Sequence, residues 1–486
     1  MFAPVAEAIA AGIFFTVTIF GATFPLIVGW LVLAGIIFTL FFKFIQARGF
    51  AHAIDLIRGR FSKPDDPGEV THFQALTSAV SGTVGLGNIA GVAVAVTLGG
   101  AGATFWMIIA GLLGMCTKFV ECTLGVKYRE VHEDGTVTGG PFRYLPIAFA
   151  KLKVPGLGRG LTMVYAVAIL FFGLAGGNMF QANQTFAQAR NVSGGEDGPL
   201  ASAGAALIFG IVLALLVGAV ILGGIKSIGR VTSRLVPGMA VVYVTACIVV
   251  ILSNLGSVPS AIAEIFTGAF SPEGVTGGAV GVLIIGFQRA AFSNEAGLGS
   301  AAIAHSAVKT RHPVSEGYVA LLEPFIDTVV ICTMTALTIV IARPERWLAG
   351  RASGDAGDGV VITSDAFATV VPWFPAILAI AVALFAFSTL ITWSYYSMKA
   401  WTTLFGRSAT SELVFKIIYV LFTVVGTVLT FGQVLGLADS MLFLCALVNI
   451  VGLYLLAPVV REELRSYREA RRSGKIRRQD TAPLVG

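Results

Sequence analysis

The chain has 486 residues, of which 56% are hydrophobic and only 12% charged, about half the charged share of an ordinary soluble domain. With 57 Gly and 35 Phe, that surplus excludes a soluble single-core globule and points to an all-α polytopic membrane protein whose small residues let helices approach closely. The formal charge of +6 raises the question of a nucleic-acid partner, which the placement of the basic residues answers.

Residues 1–22 are apolar but lack a basic segment ahead of the apolar stretch, so an interfacial helix is favoured over an extra span or a cleaved signal. The apolar runs then predict about 11 spans, near 24–46, 74–98, 102–126, 161–189, 200–222, 235–255, 276–306, 315–342, 373–400, 411–430 and 436–458. The connecting loops alternate in charge. One side, from Lys43 through Lys226, Arg230 and Arg234 to Arg461–Arg478, carries 27 of the 33 Lys and Arg. The other carries Arg190, Arg343, Arg346 and Arg351, and Lys118 and Arg289 fall within spans. Cytoplasmic loops hold the positive excess, so the C-terminus is expected in the cytoplasm and the N-terminus outside. The basic tail reads as a topology determinant near anionic lipid, and neither a nucleic acid nor an obligate protein partner is expected. The five cysteines all lie in spans without metal-ligand spacing and read as reduced, small apolar residues.

Two spans are interrupted by Gly and Asn at membrane depth, the second by SGTVGLGNIAG at 81–91 and the seventh by FSNEAGLGS at 292–300. Backbone groups freed in hydrocarbon are tolerated where they line a polar cavity, so two such breaks imply a site. With the first span set aside, the breaks fall in helices one and six of ten. That is the layout of two inverted five-helix repeats, whose broken helices hold substrate and ion; small-residue packing faces are the alternative. The expected organisation is 1–72 (interfacial segment, peripheral helix, first cytoplasmic segment), 73–255 and 256–458 (the two repeats), and 459–486 (basic cytoplasmic tail).

Six segments carry a family resemblance: FQALTSAVSGTVGLGNIAGVAVAV at 73–96, GGAGATFWM at 99–107, ECTLGVKYRE at 121–130, GGPFRYL at 139–145, FSNEAGLGS at 292–300 and FAFSTLITWSYY at 385–396. Together they resemble the alanine/glycine:cation symporter family, from about residue 70 to 400, departing at GGAG where the family more usually reads GGPG. The resemblance implies a leucine-transporter-type fold, two inverted five-helix repeats plus a peripheral helix, moving a small neutral amino acid with Na⁺ or H⁺. It carries the substrate-contacting role of a related GLGN turn to Gly85, Gly87 and Asn88. It also implies a Na⁺ site made by the Ser388 and Thr389 hydroxyls with the carbonyls of Ser81, Val84 and Phe385.

The residue types suit that chemistry. A zwitterion needs donors for its carboxylate and acceptors for its ammonium, and unwound backbone supplies both. Gly85, Gly87 and Gly91, with Gly297 and Gly299 in the inverted counterpart, are where the helices are expected to open. Hydroxyls beside bared carbonyls suit Na⁺, although Ser and Thr in membrane helices also bond to their own preceding carbonyls. The fourth span carries Asn178, Gln181, Asn183, Gln184 and Gln188, of which Gln181, with Asn178 a turn away, is the candidate for substrate contact; Asn294 in the second break is another. Phe287, Phe292 and Trp393 are candidates for an aromatic wall that limits side-chain size. Among the ionisable groups at depth, Lys118 and Glu121 are expected to pair at i, i+3, and Arg289 and Glu295 to tie down the second break or a gate, with a proton-carrying or cation-adjacent role as the alternative for Glu295. Glu323 and Asp327 remain without an assigned role.

The sequence therefore predicts a secondary active symporter of a bacterial-type inner (plasma) membrane, importing alanine or glycine by alternating access with Na⁺, or alternatively H⁺, as coupling ion and no other cofactor. An uncoupled channel or facilitator for a small polar solute is the alternative. An enzyme is not expected, since HExxH, GxSxG and catalytic His or Cys pairings are missing from the chain.

Overall fold

The computed structural model describes residues 12–19, 22–63, 65–271, 278–357 and 359–478. Of the expected interfacial helix, residues 1–11, 20 and 21 lie outside these. Thr16–Ile19 is extended instead and pairs antiparallel with Ala22–Pro25, as suits a β-branched run.

The rest is a helical bundle. α1 (Leu26–Phe41) meets α2 (Ile45–Ile57) at a 76° bend. The first broken span follows as α3 (His72–Thr83) and α4 (Ala90–Leu98), with a 3₁₀ turn Leu86–Asn88 between them and a 56° bend. α3 starts at a capping box, Thr71 Oγ1 accepting from Gln74 N while Gln74 Oε1 accepts from Thr71 N. α5 (Ala103–Lys127), α6 (Pro141–Lys151), α7 (Pro155–Val192), α8 (Ala203–Ile221), α9 (Gly224–Ser253) and α10 (Val258–Phe270) come next. The second break separates α11 (Gly278–Asn294) from α12 (Ser300–His305). The chain closes with α13 (Pro313–Ala342), α14 (Glu345–Ser353), α15 (Gly359–Ala368), α16 (Phe374–Phe405), α17 (Ala409–Val428) and α18 (Phe431–Arg472).

Eight of these helices are long and apolar enough to cross a membrane, or ten if each bent pair is one span. The expected span 276–306 is divided by its break into two pieces, neither of which meets that length alone. Four stretches between the expected spans contain helices: most of α2 after 46, α6 within 127–160, α10 within 256–275, and α14 with α15 within 343–372. α18 continues through Arg461–Arg472, so the first part of the basic tail is helical.

α7 and α13 each contain a π-helical turn, at Ala175–Met179 and Phe325–Cys332. Such turns widen a helix locally and bare backbone groups. Both stand beside the breaks.

Candidate functional site

The first break spans 84–89, and every one of these residues is buried. Asn88 is its strut. Asn88 Oδ1 accepts from Gly85 N at 3.0 Å, and its Nδ2 donates to Asp327 Oδ1 at 2.7 Å and to the Asp327 carbonyl at 3.1 Å. One side chain therefore satisfies an orphan amide of the break and fastens it to the π turn of α13.

Gln181 reaches the break from α7. Its Oε1 accepts from Leu86 N at 2.9 Å, while Nε2 donates to the Gly176 carbonyl, bared by the π turn, at 3.0 Å. Asn178 points elsewhere: Nδ2 donates to the Tyr419 carbonyl of α17 at 2.7 Å. Asn183 likewise bonds the carbonyls of Gly426 and Leu429. The polar load of α7 is thus divided between the site and the α17 contact.

α16 closes the opposite wall. Thr389 Oγ1 donates to the Ser81 carbonyl at 2.9 Å, Ser81 Oγ donates to the Ser388 carbonyl at 2.7 Å, and Ser388 Oγ donates to the Phe385 carbonyl at 2.9 Å. Thr392 Oγ1 adds a bond to Ser81 Oγ at 3.0 Å, a partner that the sequence reading did not single out. Val84 is buried at the end of this cluster, with its amide on the Val80 carbonyl. The cluster gathers neutral oxygens in a buried place without a fixed charge, a donor set suited to a hard monovalent cation.

Gly85 is where the two walls meet. A Cβ there would lie 2.5 Å from Thr389 Oγ1 and 3.0 Å from Gln181 Oε1. At Gly87 it would face the Phe292 ring at 3.4 Å. Gly91, expected to belong to the opening, lies within α4 with nothing within 4 Å of an added Cβ. The helix resumes at Ala90 because Ile89 and Asn88 complete the turn before it.

In the second break, Glu295, Gly297 and Gly299 have positive φ of 57°, 97° and 83°, the left-handed geometry that glycine supplies at little cost. Asn294 Oδ1 accepts from Ala296 N, and its Nδ2 donates to Thr328 Oγ1, both at 2.9 Å. Ser293 Oγ donates to Asp327 Oδ2 at 2.8 Å, so Asp327 joins both breaks through Asn88 and Ser293. No sequence motif marks Asp327. The signal available was a carboxylate in a span without a basic residue one turn away.

The aromatic candidates separate. Phe292 packs edge-on against Phe172 and Phe180 beneath the Arg289 guanidinium. Trp393 packs on Phe172 and donates its indole N–H to the Gly82 carbonyl at 3.1 Å. Phe287 is apart from them, against Trp106, lining a 30 Å³ cavity with Leu31 of α1 and Asn294.

The expected Lys118–Glu121 pair does not form. Lys118 Nζ donates to Glu323 Oε1 of α13 at 2.9 Å, because α5 turns that face toward α13. Glu121 Oε1 instead accepts from Gly299 N and from Asn449 Nδ2, holding the second break. Arg289 pairs with Asp439 of α18, and Glu295 accepts from Ser300 Oγ at 2.6 Å.

Both ends of the first break are covered. On the side assigned to the cytoplasm, Lys309 N donates to the Val70 carbonyl, and Arg129 donates to the carbonyls of Pro67, Ser306, Val308 and Thr310. At the other end, Thr363 Oγ1 of α15 reaches the Ile89 carbonyl, and Trp347 Nε1 of α14 donates to the Val96 carbonyl.

Comparison with known proteins agrees with this architecture. Residues 9–481 match the sodium:alanine symporter family. The sodium/alanine symporter AgcS of Methanococcus maripaludis is 38% identical over 440 residues, 90% of this chain and 93% of that protein. The probable sodium/glutamine symporter GlnT of Bacillus subtilis is 32% identical over 445 residues, 91% of this chain and 87% of that protein. The crystal structure of MhsT in complex with L-phenylalanine superposes with a TM-score of 0.56 at 17% identity, covering 83% of this chain and 99% of that one. The fold is of the leucine-transporter type.

Proposed function

The chain belongs to the sodium:alanine symporter family, multi-pass membrane transporters and not enzymes that couple amino-acid symport to Na⁺, and from that premise we propose that it imports alanine or glycine by alternating access. The observation that carries this reading is the meeting, at Gly85, of main chain from the break with Gln181 from α7 and Thr389 from α16. A substrate carboxylate would take the amides of the break, with Gly85, Gly87, Asn88 and Gln181 around it and Asn294 bracing the second break behind. Na⁺ would take the carbonyls of Ser81, Val84 and Phe385 with the hydroxyls of Ser388 and Thr389. The two sites share helix α3, so filling the ion site stiffens the break against which the amino acid binds. Phe292 and Trp393 would wall the side-chain end of the site and favour a small substrate, whereas Asn178 and Phe287 would act at a distance, through packing. The protein would work in a bacterial-type inner membrane with its C-terminus in the cytoplasm.

The test is uptake of labelled alanine into proteoliposomes under an imposed Na⁺ gradient, a pH gradient, or neither. Concentrative uptake that follows Na⁺ is expected. Uptake indifferent to both gradients would refute symport and leave the facilitator in its place.

A further inference from the structure

Between the first break and the cytoplasmic side lies a buried group of ionisable side chains that the transport reading leaves without a task. Glu316 of α13 stands between two histidines, His305 Nδ1 at 2.5 Å from one carboxylate oxygen and His72 Nδ1 on the other. The second ring nitrogen of His305 faces Glu323 Oε2 at 3.7 Å, beyond hydrogen-bond reach, and neither of those two atoms has a hydrogen-bond partner among the described residues. His305, Glu316 and Glu323 are fully buried, and His72 nearly so. The other ionisable groups facing this set are His52 from α2, Lys118, Glu121 and Cys122 from α5, Glu295 from the second break, Asp327 farther along α13, Tyr396 from α16, and Arg129 from the loop after α5.

Two fully buried polar atoms that face each other without a hydrogen bond are costly. A proton on His305 Nε2 removes the cost for both, because the ring then donates from both nitrogens, to Glu316 on one side and toward Glu323 on the other. It also balances the charge. Lys118, fully buried, pairs with Glu323, and a positive charge on His305 stands against Glu316 on one side and toward the second oxygen of Glu323 on the other. The position gives this proton leverage. His72 begins α3, His305 ends α12 and Glu316 lies on α13, so one imidazolium ties together the three elements that cover the first break from this side.

We propose that His305 is a proton-binding site and that its proton latches the cytoplasmic side shut, leaving to cytoplasmic water when α3, α12 and α13 separate to release substrate. The step breaks the N–H bond at Nε2, whose electron pair stays on the ring, and forms an O–H bond on water, which carries the proton and its charge away as hydronium. The latch rests on the proposed import cycle and makes that cycle depend on the pH of the cytoplasmic side.

Cys122 is a native reporter, since its buried side chain packs with Ala301 of α12 and Ala320 of α13 beside the latch. Its alkylation by a membrane-permeable maleimide, quantified by mass spectrometry, is compared between the wild type and His305→Gln at each pH, which cancels the thiol's own titration. The wild type is expected to label more slowly than His305→Gln at acid pH, the ratio of the variant's rate to the wild type's falling by up to about tenfold per pH unit, the limit for one proton, and reaching one at alkaline pH. In proteoliposomes with fixed outer pH and Na⁺ gradient, acid on the cytoplasmic side slows wild-type alanine uptake and leaves His305→Gln unaffected. Glu323→Gln, which keeps the residue's size and removes one of the two carboxylates, should flatten the same pH profile. A labelling ratio constant with pH, or equal pH profiles of uptake in wild type and His305→Gln, overturns the latch. Absence of alanine uptake under every gradient sinks the import reading instead, and the labelling ratio still decides the latch.

Discussion

An alanine at position 85 would place its Cβ 2.5 Å from Thr389 Oγ1, closer than real Cβ contacts allow, and 3.0 Å from Gln181 Oε1, tight enough that the amide must give by a few tenths of an ångström. The backbone itself does not object, since Gly85 has φ −132° and ψ −151°, which L-residues adopt. The collision is with Thr389, a short β-branched side chain whose hydroxyl is held on the Ser81 carbonyl at 2.9 Å. Turning Thr389 away leaves that buried hydrogen bond unmade, at about 1–3 kcal/mol, and withdraws a hydroxyl from the proposed Na⁺ shell. In Gly85→Ala the Na⁺ concentration for half-maximal alanine uptake should therefore rise roughly 5- to 150-fold. Gln181 is displaced from Leu86 N by the same methyl, so alanine affinity at saturating Na⁺ should fall too, by a smaller factor because a long flexible amide yields more easily. Gly91→Ala is the matched control. With nothing within 4 Å of its added Cβ and a helical backbone at that position, it should leave both constants unchanged and stabilise the helix by up to about 1 kcal/mol. The assay is initial-rate uptake in proteoliposomes across a Na⁺ series, with monodispersity checked for each variant. Gly85→Ala with wild-type Na⁺ activation would refute the placement of Thr389 at the ion site.

Ser388→Ala with Thr389→Ala should weaken Na⁺ activation before it weakens alanine binding at saturating Na⁺, and an unaltered Na⁺ dependence in uptake would remove the pair from the site. Lys118→Met leaves Glu323 buried without its ammonium and should cost about 3–5 kcal/mol, read as a lower melting temperature in detergent; Lys118→Met with Glu323→Leu should recover much of that loss, and a double variant no more stable than the single one would contradict the pairing. Arg129→Ala removes four ties to backbone carbonyls. At about 1.5–3 kcal/mol for one charge-assisted bond, amide exchange across 306–312 should quicken by at least roughly tenfold, and unchanged exchange would show that the covering of the break does not depend on Arg129.

Which residues would form the site was partly legible from the chain alone, and the reason differs from residue to residue. Gly85, Asn88, Ser388 and Thr389 could be found because a broken helix in hydrocarbon and a hydroxyl pair in mid-span are conspicuous against an apolar background. Gln181 was one of five polar residues on the same helix, and distinguishing it from Asn178 and Asn183 required knowing which face of α7 met the break and which met α17. Phe287 and Phe292 are five residues apart on α11, yet one borders the break and the other a cavity beside α1.

The sequence by itself determined the membrane class, the family and the two places where helices open, but not the number of spans, since eight of the described helices, or up to ten with the bent pairs, are long and apolar enough to cross a membrane where eleven spans were expected. What it determined follows from local properties: runs of apolar residues long enough to cross a bilayer, loop charge, and Gly and Asn at depth, all of which act through the nearest few residues. Tertiary structure decided how the buried charges are paired. Lys118 chose Glu323, 205 positions away, over Glu121, three positions away, and Asp327 became the point to which both breaks are fastened. The π turns in α7 and α13 also belong to this level. A buried charge takes whichever partner the packing of helices brings into its dry surroundings, and no periodicity within a single helix records which neighbour that will be.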